Sequence, residues 1–137
     1  MLKNKTIAVV VPAYNEEKQI EMVLSTMPDF VDRIVVVNDK SKDRTVDVVL
    51  DFIQKDKTKV LPLNKNETIT PNKYNRADLL VEKIRKAERE KYIPSEEVDT
   101  GRNSRVVLIN HLKNGSVGAA IATGYKWCLD NNIDCTA

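Results

Sequence analysis

Two short stretches hold most of the side chains suited to chemistry. PAYNEE, residues 12–17, sets an aromatic ring, an amide and two carboxylates in a row as Tyr14, Asn15, Glu16 and Glu17. A ring in that position can border a flat base, and a carboxylate can accept from sugar or base donors. The same residues also suit a half-buried aromatic ahead of a helix whose dipole favours acids. NDKSKDRT, residues 38–45, adds Asn38, Asp39, Ser41, Asp43 and Thr45. Its hydroxyls and some of its acids suit helix capping. Asp39 differs, because a carboxylate at a strand end facing a crevice can accept the imino N–H of uracil or the N–H pair of guanine. Adenine and cytosine lack that ring N–H, and a site left with an unpaired polar group rejects the wrong base strongly. The loop does not separate uracil from guanine.

A third stretch, LKNGSVGAAIATG at residues 112–124, is a small-residue turn into a helix. Backbone there can approach a ligand closely, and the helix N-terminus favours a phosphate. It is neither a Walker loop nor GxGxxG, and small residues also permit tight helix-to-sheet packing. His111 has no serine and aspartate partner visible in the sequence and reads as an ordinary loop residue. Trp127 reads as core, and Cys128 and Cys135, outside any CxxC spacing, read as reduced structural thiols of a cytoplasmic protein.

The elements that must position these loops are legible from periodicity. Thr6 to Val11 is a continuous run of β-branched residues and Ala, as in a strand covered on both faces. Ile20, Val23, Leu24 and Met27 fall at helical spacing, with Pro28 just past them. Ile34 to Val37 repeats the strand signal, and Val46, Val49, Leu50 and Ile53 repeat the helical one. A third unit follows late. Val106 to Ile109 reads as a strand, and Ile121, Tyr125, Cys128 and Leu129 as the buried stripe of a helix; a fourth strand is expected from Ile133. Tandem βα units imply a right-handed, parallel arrangement. Open α/β sheets bind ligands at the carboxyl ends of their strands, where all three loops would lie.

A segment of about 64–104 is not needed by this rhythm. Ala77, Leu80, Val81, Ile84 and Ala87 predict an amphipathic helix with one buried side, flanked by the polar loops LNKNETITPNKYN and PSEEVDTGRNS.

Bulk properties narrow the function classes. With 137 residues the chain buries roughly two-thirds of its unfolded surface, enough for one domain without disulfide or metal. Charged residues make up 31% with a net charge of +2 and the two signs interspersed, so no nucleic-acid stripe or polybasic membrane patch stands out. No apolar run approaches the roughly 20 residues of a membrane span.

The ordered set VPAYNEE, VVVNDKSKDRT and NGSVGAAIATGYK resembles the nucleotide-binding half of family 2 glycosyltransferases with the GT-A fold, nearest to the dolichol- or polyprenyl-phosphate sugar transferases. The resemblance covers residues 6–63 and 105–137. It implies an open, mainly parallel α/β sheet with flanking helices, one partial domain over 1–137 with an inserted helical segment at about 64–104. It also implies a UDP- or GDP-linked sugar as donor, and a polyprenyl phosphate or a saccharide as acceptor. Residues matching Pro12, Tyr14 and Glu16 border the nucleoside in such enzymes, and the one matching Asp39 holds the base. The candidate nucleotide-binding set is Pro12, Ala13, Tyr14, Glu16, Asn38, Asp39, Ser41, Asn114 and Gly118.

The departures from the family's pattern carry their own expectations. The family usually has two acids and then Gly where this chain has Asn38, Asp39 and Lys40, and a left-handed backbone at Lys40 would cost roughly 1 to 2 kcal/mol. The family's D-x-D motif, which holds a divalent cation (Mg or Mn), follows the strand that here begins at Ile133. This chain is therefore expected to carry neither metal ligands nor a catalytic base. An apolar first strand left with an open edge would invite a homodimer through Ile7 to Val11. Two other classes share the α/β core: a sugar-nucleotidyltransferase, which would show a Gly-rich basic loop after the first strand, and a non-catalytic nucleotide-binding or scaffold module.

Overall fold

A computed structural model of the chain describes residues 1–58, 60, 62, 77, 79–81, 83–84, 93–101 and 103–137. Its strands are β1 (Ile7–Ala13), β2 (Arg33–Asn38), β3 (Ser95–Glu97), β4 (Val106–His111) and β5 (Cys135–Thr136). The connecting helices include α1 (Ile20–Ser25), α2 (Thr45–Lys55) and α3 (Val117–Asp130). The sheet order is β3-β4-β2-β1-β5, with β1, β2, β4 and β5 parallel and β3 antiparallel to β4.

Strand alternation divides the core into two layers. Ile34 and Val36 of β2, Val106 and Leu108 of β4 and Ala13 of β1 meet Ile20 and Leu24 of α1 and Val49 and Ile53 of α2 on one face. Val35 and Val37, Ile109, Ala8 and Val10 meet Ala120, Trp127 and Cys128 of α3 on the other. Every residue of the central strand β2 is buried, in keeping with the unbroken β-branched run Ile34 to Val37 at its middle.

The first two βα units agree with the periodicity within about two residues at each end. Three expectations are corrected. The buried residues of α3 are Ala120, Thr123, Gly124, Trp127 and Cys128, while Tyr125 and Leu129 are about half exposed. The helix turns its small residues inward because it lies close to β1: a Cβ on Gly124 would come within 2.9 Å of Val10 Cγ2 and 3.1 Å of its Cβ. Secondly, PSEEVDTGRNS is not all loop, since Ser95–Glu97 pairs with Ile109 to His111 as an edge strand, and Asp99 closes a turn by accepting the Gly101 N–H at 2.8 Å.

Thirdly, the edge of β1 is not open over Thr6 to Val10. Cys135 donates to Thr6 at 3.0 Å, Ala137 donates to Ala8 at 3.0 Å, and Val10 donates to Ala137 at 2.8 Å. The next amide on that side would belong to position 12, where proline has no N–H to leave unpaired. The strand therefore does not offer the continuous edge on which the homodimer expectation rested.

Helical backbone occurs at Ala77, Leu79 to Val81, Lys83 and Ile84, but Leu80, Val81 and Ile84 are each about half exposed or more, so no apolar side of that helix is buried among the described residues. Ala87 and all of the loop at 64–76 lie outside the described residues.

Candidate functional site

The carboxyl ends of β1, β2 and β4 stand side by side, with Ala13 in register with Asn38 and Asn38 with Asn110. The loops that leave them are laced together. Asn15 N–H donates to Ser41 Oγ at 3.0 Å, Lys42 N–H to Asn15 Oδ1 at 2.9 Å, and Glu16 N–H to Thr45 Oγ1 at 2.9 Å. Glu17 N–H donates to Asp43 at 3.2 Å, and Glu17 accepts from Arg44 N–H at 3.3 Å. Ser41, Asp43, Thr45, Asn15 and Glu17 thus fix the shape of the rim. Asn15 and Lys40 both hold left-handed backbone, with φ of 54° and 55°. Asn tolerates that region; lysine does so at a cost.

Asp43 shows the electrostatics of this lacing. Desolvation pushes its carboxyl up, but the Thr45 hydroxyl and amide and the Glu17 amide all donate to it, and together they hold it below the usual carboxylate range.

Within this frame the candidate residues separate by role. Pro12 and Ala13 are the last residues of β1, and Asp39 N–H donates to Ala13 O at 2.9 Å. Asn38 is buried and largely spent on structure: its Nδ2 donates to Asn110 Oδ1 at 3.0 Å and its Oδ1 accepts Ser41 N–H at 3.1 Å. Tyr14 is 43% exposed, and Glu16 and Asn114 are exposed at the same rim. Gly118, in the first turn of α3, has open space among the described residues where a side chain would be, with Ser116 Oγ nearby at 3.7 Å. Ser116 caps that helix by accepting Ala119 N–H at 3.2 Å.

Asp39 is the enclosed carboxylate of the set. Its Oδ1 accepts the Gly115 N–H at 2.7 Å and lies 2.9 Å from His111 Nδ1. Among the described residues its Oδ2 has no hydrogen-bond partner. Here the reading of His111 is corrected. It closes β4, and its side chain is fully buried against Asp39 on one nitrogen and Thr123 Oγ1, at 2.8 Å, on the other. The signal was period two: Val107 and Ile109 face α3, so residue 111 must face it too.

Trp127 is core as expected, with its Nε1 donating to Glu97 at 2.9 Å. Both cysteines are free, and burial pushes the Cys128 thiol up against the opposing hydrogen bond with Thr136, leaving no activated nucleophile there. A cavity of about 130 Å³ bordered by Arg33, Glu97, Ser104 and Trp127 lies toward the amino ends of the strands and holds none of the candidate residues. Among the described residues no group of three or more His, Cys, Asp or Glu converges on a point, and no helix is long and apolar enough to cross a membrane.

A mainly parallel sheet between two helical layers, with its polar loops gathered at the carboxyl rim, defines an α/β, Rossmann-like unit of the GT-A kind. Residues 8–77, more than half of the chain, match Glycosyl transferase family 2, and the chain belongs to that family. It is similar to the dolichyl-phosphate beta-glucosyltransferase of Homo sapiens, 37% identical over 76 residues, which are 45% of this chain and 24% of that protein. The Mus musculus protein of the same name is 33% identical over 76 residues, with the same coverage of both chains. A dolichyl-phosphate beta-glucosyltransferase of Trichomonas vaginalis is 38% identical over 60 residues, 36% of this chain and 18% of that protein. The matched stretch is therefore about a quarter or less of each relative's length. No solved structure matches the chain.

Proposed function

We propose that residues 1–137 form one partial GT-A domain, with an insertion at about 64–104, that binds the nucleoside-diphosphate sugar of a sugar transferase. The observation that carries the reading is Asp39, a nearly enclosed carboxylate at the end of β2 with one oxygen held by Gly115 and His111 and the other without a partner among the described residues. Oδ2 accepts a ring N–H of uracil or guanine, while the exposed ring of Tyr14, with Pro12, Ala13 and Glu16, borders the nucleoside. Asn114 and Gly118 give the diphosphate an unobstructed approach to the start of α3, and Asn38 and Ser41 hold the base-binding turn in shape.

The names of the relatives support dolichyl phosphate or another polyprenyl phosphate as acceptor, and a glucosyl group as the sugar. In the reaction the acceptor oxygen attacks the anomeric carbon, the new C–O bond forms, and the bond to the nucleoside diphosphate breaks. An anionic phosphate acceptor needs little help from a general base. Family 2 glycosyltransferases commonly use a divalent cation at the diphosphate; the described residues do not supply a ligand set that fits it. The part of residues 1–137 is to bind and orient the donor, in the cytoplasm, where the two free thiols stay reduced.

Calorimetric titration of the chain with UDP and with GDP tests this. Wild type is expected to bind at least one of them, and Asp39→Ala to weaken that binding by about tenfold or more, since the base loses a charged acceptor. Wild-type affinity in Asp39→Ala, or no binding of either nucleotide by the native chain, would overturn the reading.

A further inference from the structure

We infer that His111 is a positioning residue for donor recognition: it fixes which oxygen of Asp39 is offered to the base. The inference rests on the assignment of Asp39 to the base and goes beyond it. An aspartate carboxylate can rotate about its last bond and exchange its two oxygens, so a base-reading acid needs something to stop that rotation. Here Oδ1 is tied twice, by the Gly115 N–H at 2.7 Å and by His111 Nδ1 at 2.9 Å. A carboxylate is acceptor-only, so the Nδ1 proton points at Oδ1. In the neutral ring Nε2 is then an acceptor, and the group 2.8 Å away is the Thr123 hydroxyl, which can turn to it from Ala119 O at 3.0 Å. The imidazole is held from behind by α3 and in front by Asp39, with its side chain fully buried, so neither ring nitrogen is left for solvent. The result is a fixed line from Thr123 through His111 to Asp39 that leaves Oδ2 as the acceptor facing the rim.

The two amide isosteres separate this role from a merely structural one. In His111→Asn the side-chain NH₂ falls close to where Nδ1 was and can still donate to Asp39, while the reach to Thr123 is lost. In His111→Gln the amide extends to where Nε2 was, keeping Thr123 and giving up Asp39. Both remove a buried ring and are expected to lower the thermal midpoint to a similar degree. Their affinities for UDP and GDP, measured by calorimetry on the full chain beside Asp39→Ala, are expected to part. His111→Gln should weaken the better-bound nucleotide by about tenfold, and His111→Asn should restore it to within about threefold of wild type.

Because His111 is the chain's one histidine, its ring nitrogens give a single set of NMR signals. The Nδ1 resonance is expected to shift on addition of that nucleotide in wild type and to stay put in Asp39→Ala. Equal affinities in the Asn and Gln variants, or affinities that follow the thermal midpoints, would overturn the positioning role while leaving Asp39 as the base-reading acid. Undiminished binding by Asp39→Ala would overturn the base assignment and this inference with it.

Discussion

The two faces of the sheet are built on different terms. On the face covered by α1 and α2, large aliphatic side chains fill the gap: Ile20, Leu24, Val49 and Ile53 over Ile34, Val36 and Leu108. On the face covered by α3 the helix contributes Ala120 and Gly124 where it crosses β1, and comes close enough that Gly124 has Val10 directly beneath it. The first face behaves as scaffold. The second brings Thr123 within hydrogen-bond reach of His111, and through it to Asp39, so close packing on that side sets the geometry of the rim.

That contrast predicts opposite signatures for damage on the two faces. Ile53→Ala, at a side chain 1% exposed, should cost about 2 to 5 kcal/mol of stability through the cavity it leaves, with nucleotide affinity of the folded fraction unchanged. Gly124→Ala should cost less, about 1 to 3 kcal/mol, because the added methyl forces α3 away from Val10 against a gain in helix propensity. It should nonetheless weaken UDP or GDP binding, since α3 carries Thr123. Denaturant melts paired with calorimetry decide the matter. If Ile53→Ala also weakened binding, or Gly124→Ala left it unchanged, the division between the faces would fail.

The same contrast explains what was legible in the sequence. α2 follows the 0, 3, 4, 7 rule because, past the buried Thr45 at its start, the residues it turns to the sheet are large and apolar: Val49 and Ile53 are buried, and Val46 and Leu50 pack partly buried beside them. The rule found Cys128 but misplaced part of the stripe of α3 for the reason that makes that helix useful: apart from Trp127 its inward residues are small or polar, so hydrophobicity pointed to Tyr125 and Leu129, which are half exposed. The rim motifs were readable as strand ends rich in polar groups. Their internal use was not, since the partners of Asn38, Asn15 and Glu17 are a side chain on the neighbouring strand β4 and backbone amides of the loop after β2. His111 was missed because its partners lie 72 residues before it and 12 after it in the chain. The edge strand β3 is a three-residue acidic stretch with every residue exposed, so no apolar alternation announces it.

Strain at the rim offers a gentler test. Lys40 keeps φ at 55° and is exposed, directly after Asp39. Glycine adopts that backbone without the steric cost of roughly 1 to 2 kcal/mol, although it loses more freedom on folding. Lys40→Gly should therefore stabilise the chain by about 0.5 to 1 kcal/mol in a denaturant melt. Since the turn already has the shape glycine prefers, nucleotide affinity should change only by what the lysine charge contributes, an effect that fades as salt is raised. A destabilised variant would mean that Lys40 makes a contact outweighing the backbone cost.

The smallest expected effect is a pH dependence at the same rim. The Asp43 carboxyl titrates lower in the folded chain than an ordinary aspartate because Thr45 and Glu17 donate to it. A depressed folded-state value means that the unfolded chain binds the proton first, so the contribution to stability is fully present above the ordinary aspartate value of about 3.9 and fades as pH falls through the lower, folded-state value. Asp134, held down at the opposite end of the sheet by the Thr6 amide and hydroxyl, behaves in the same sense and remains in every rim variant. Asp43→Asn keeps an oxygen for Thr45 but no charge. Its denaturant midpoint should lie below that of wild type at pH 6, and the gap should narrow as pH falls below the ordinary aspartate value of about 3.9. Two parallel curves would mean that the rim loops are held by the shape of their hydrogen bonds alone, with the charge on Asp43 contributing nothing.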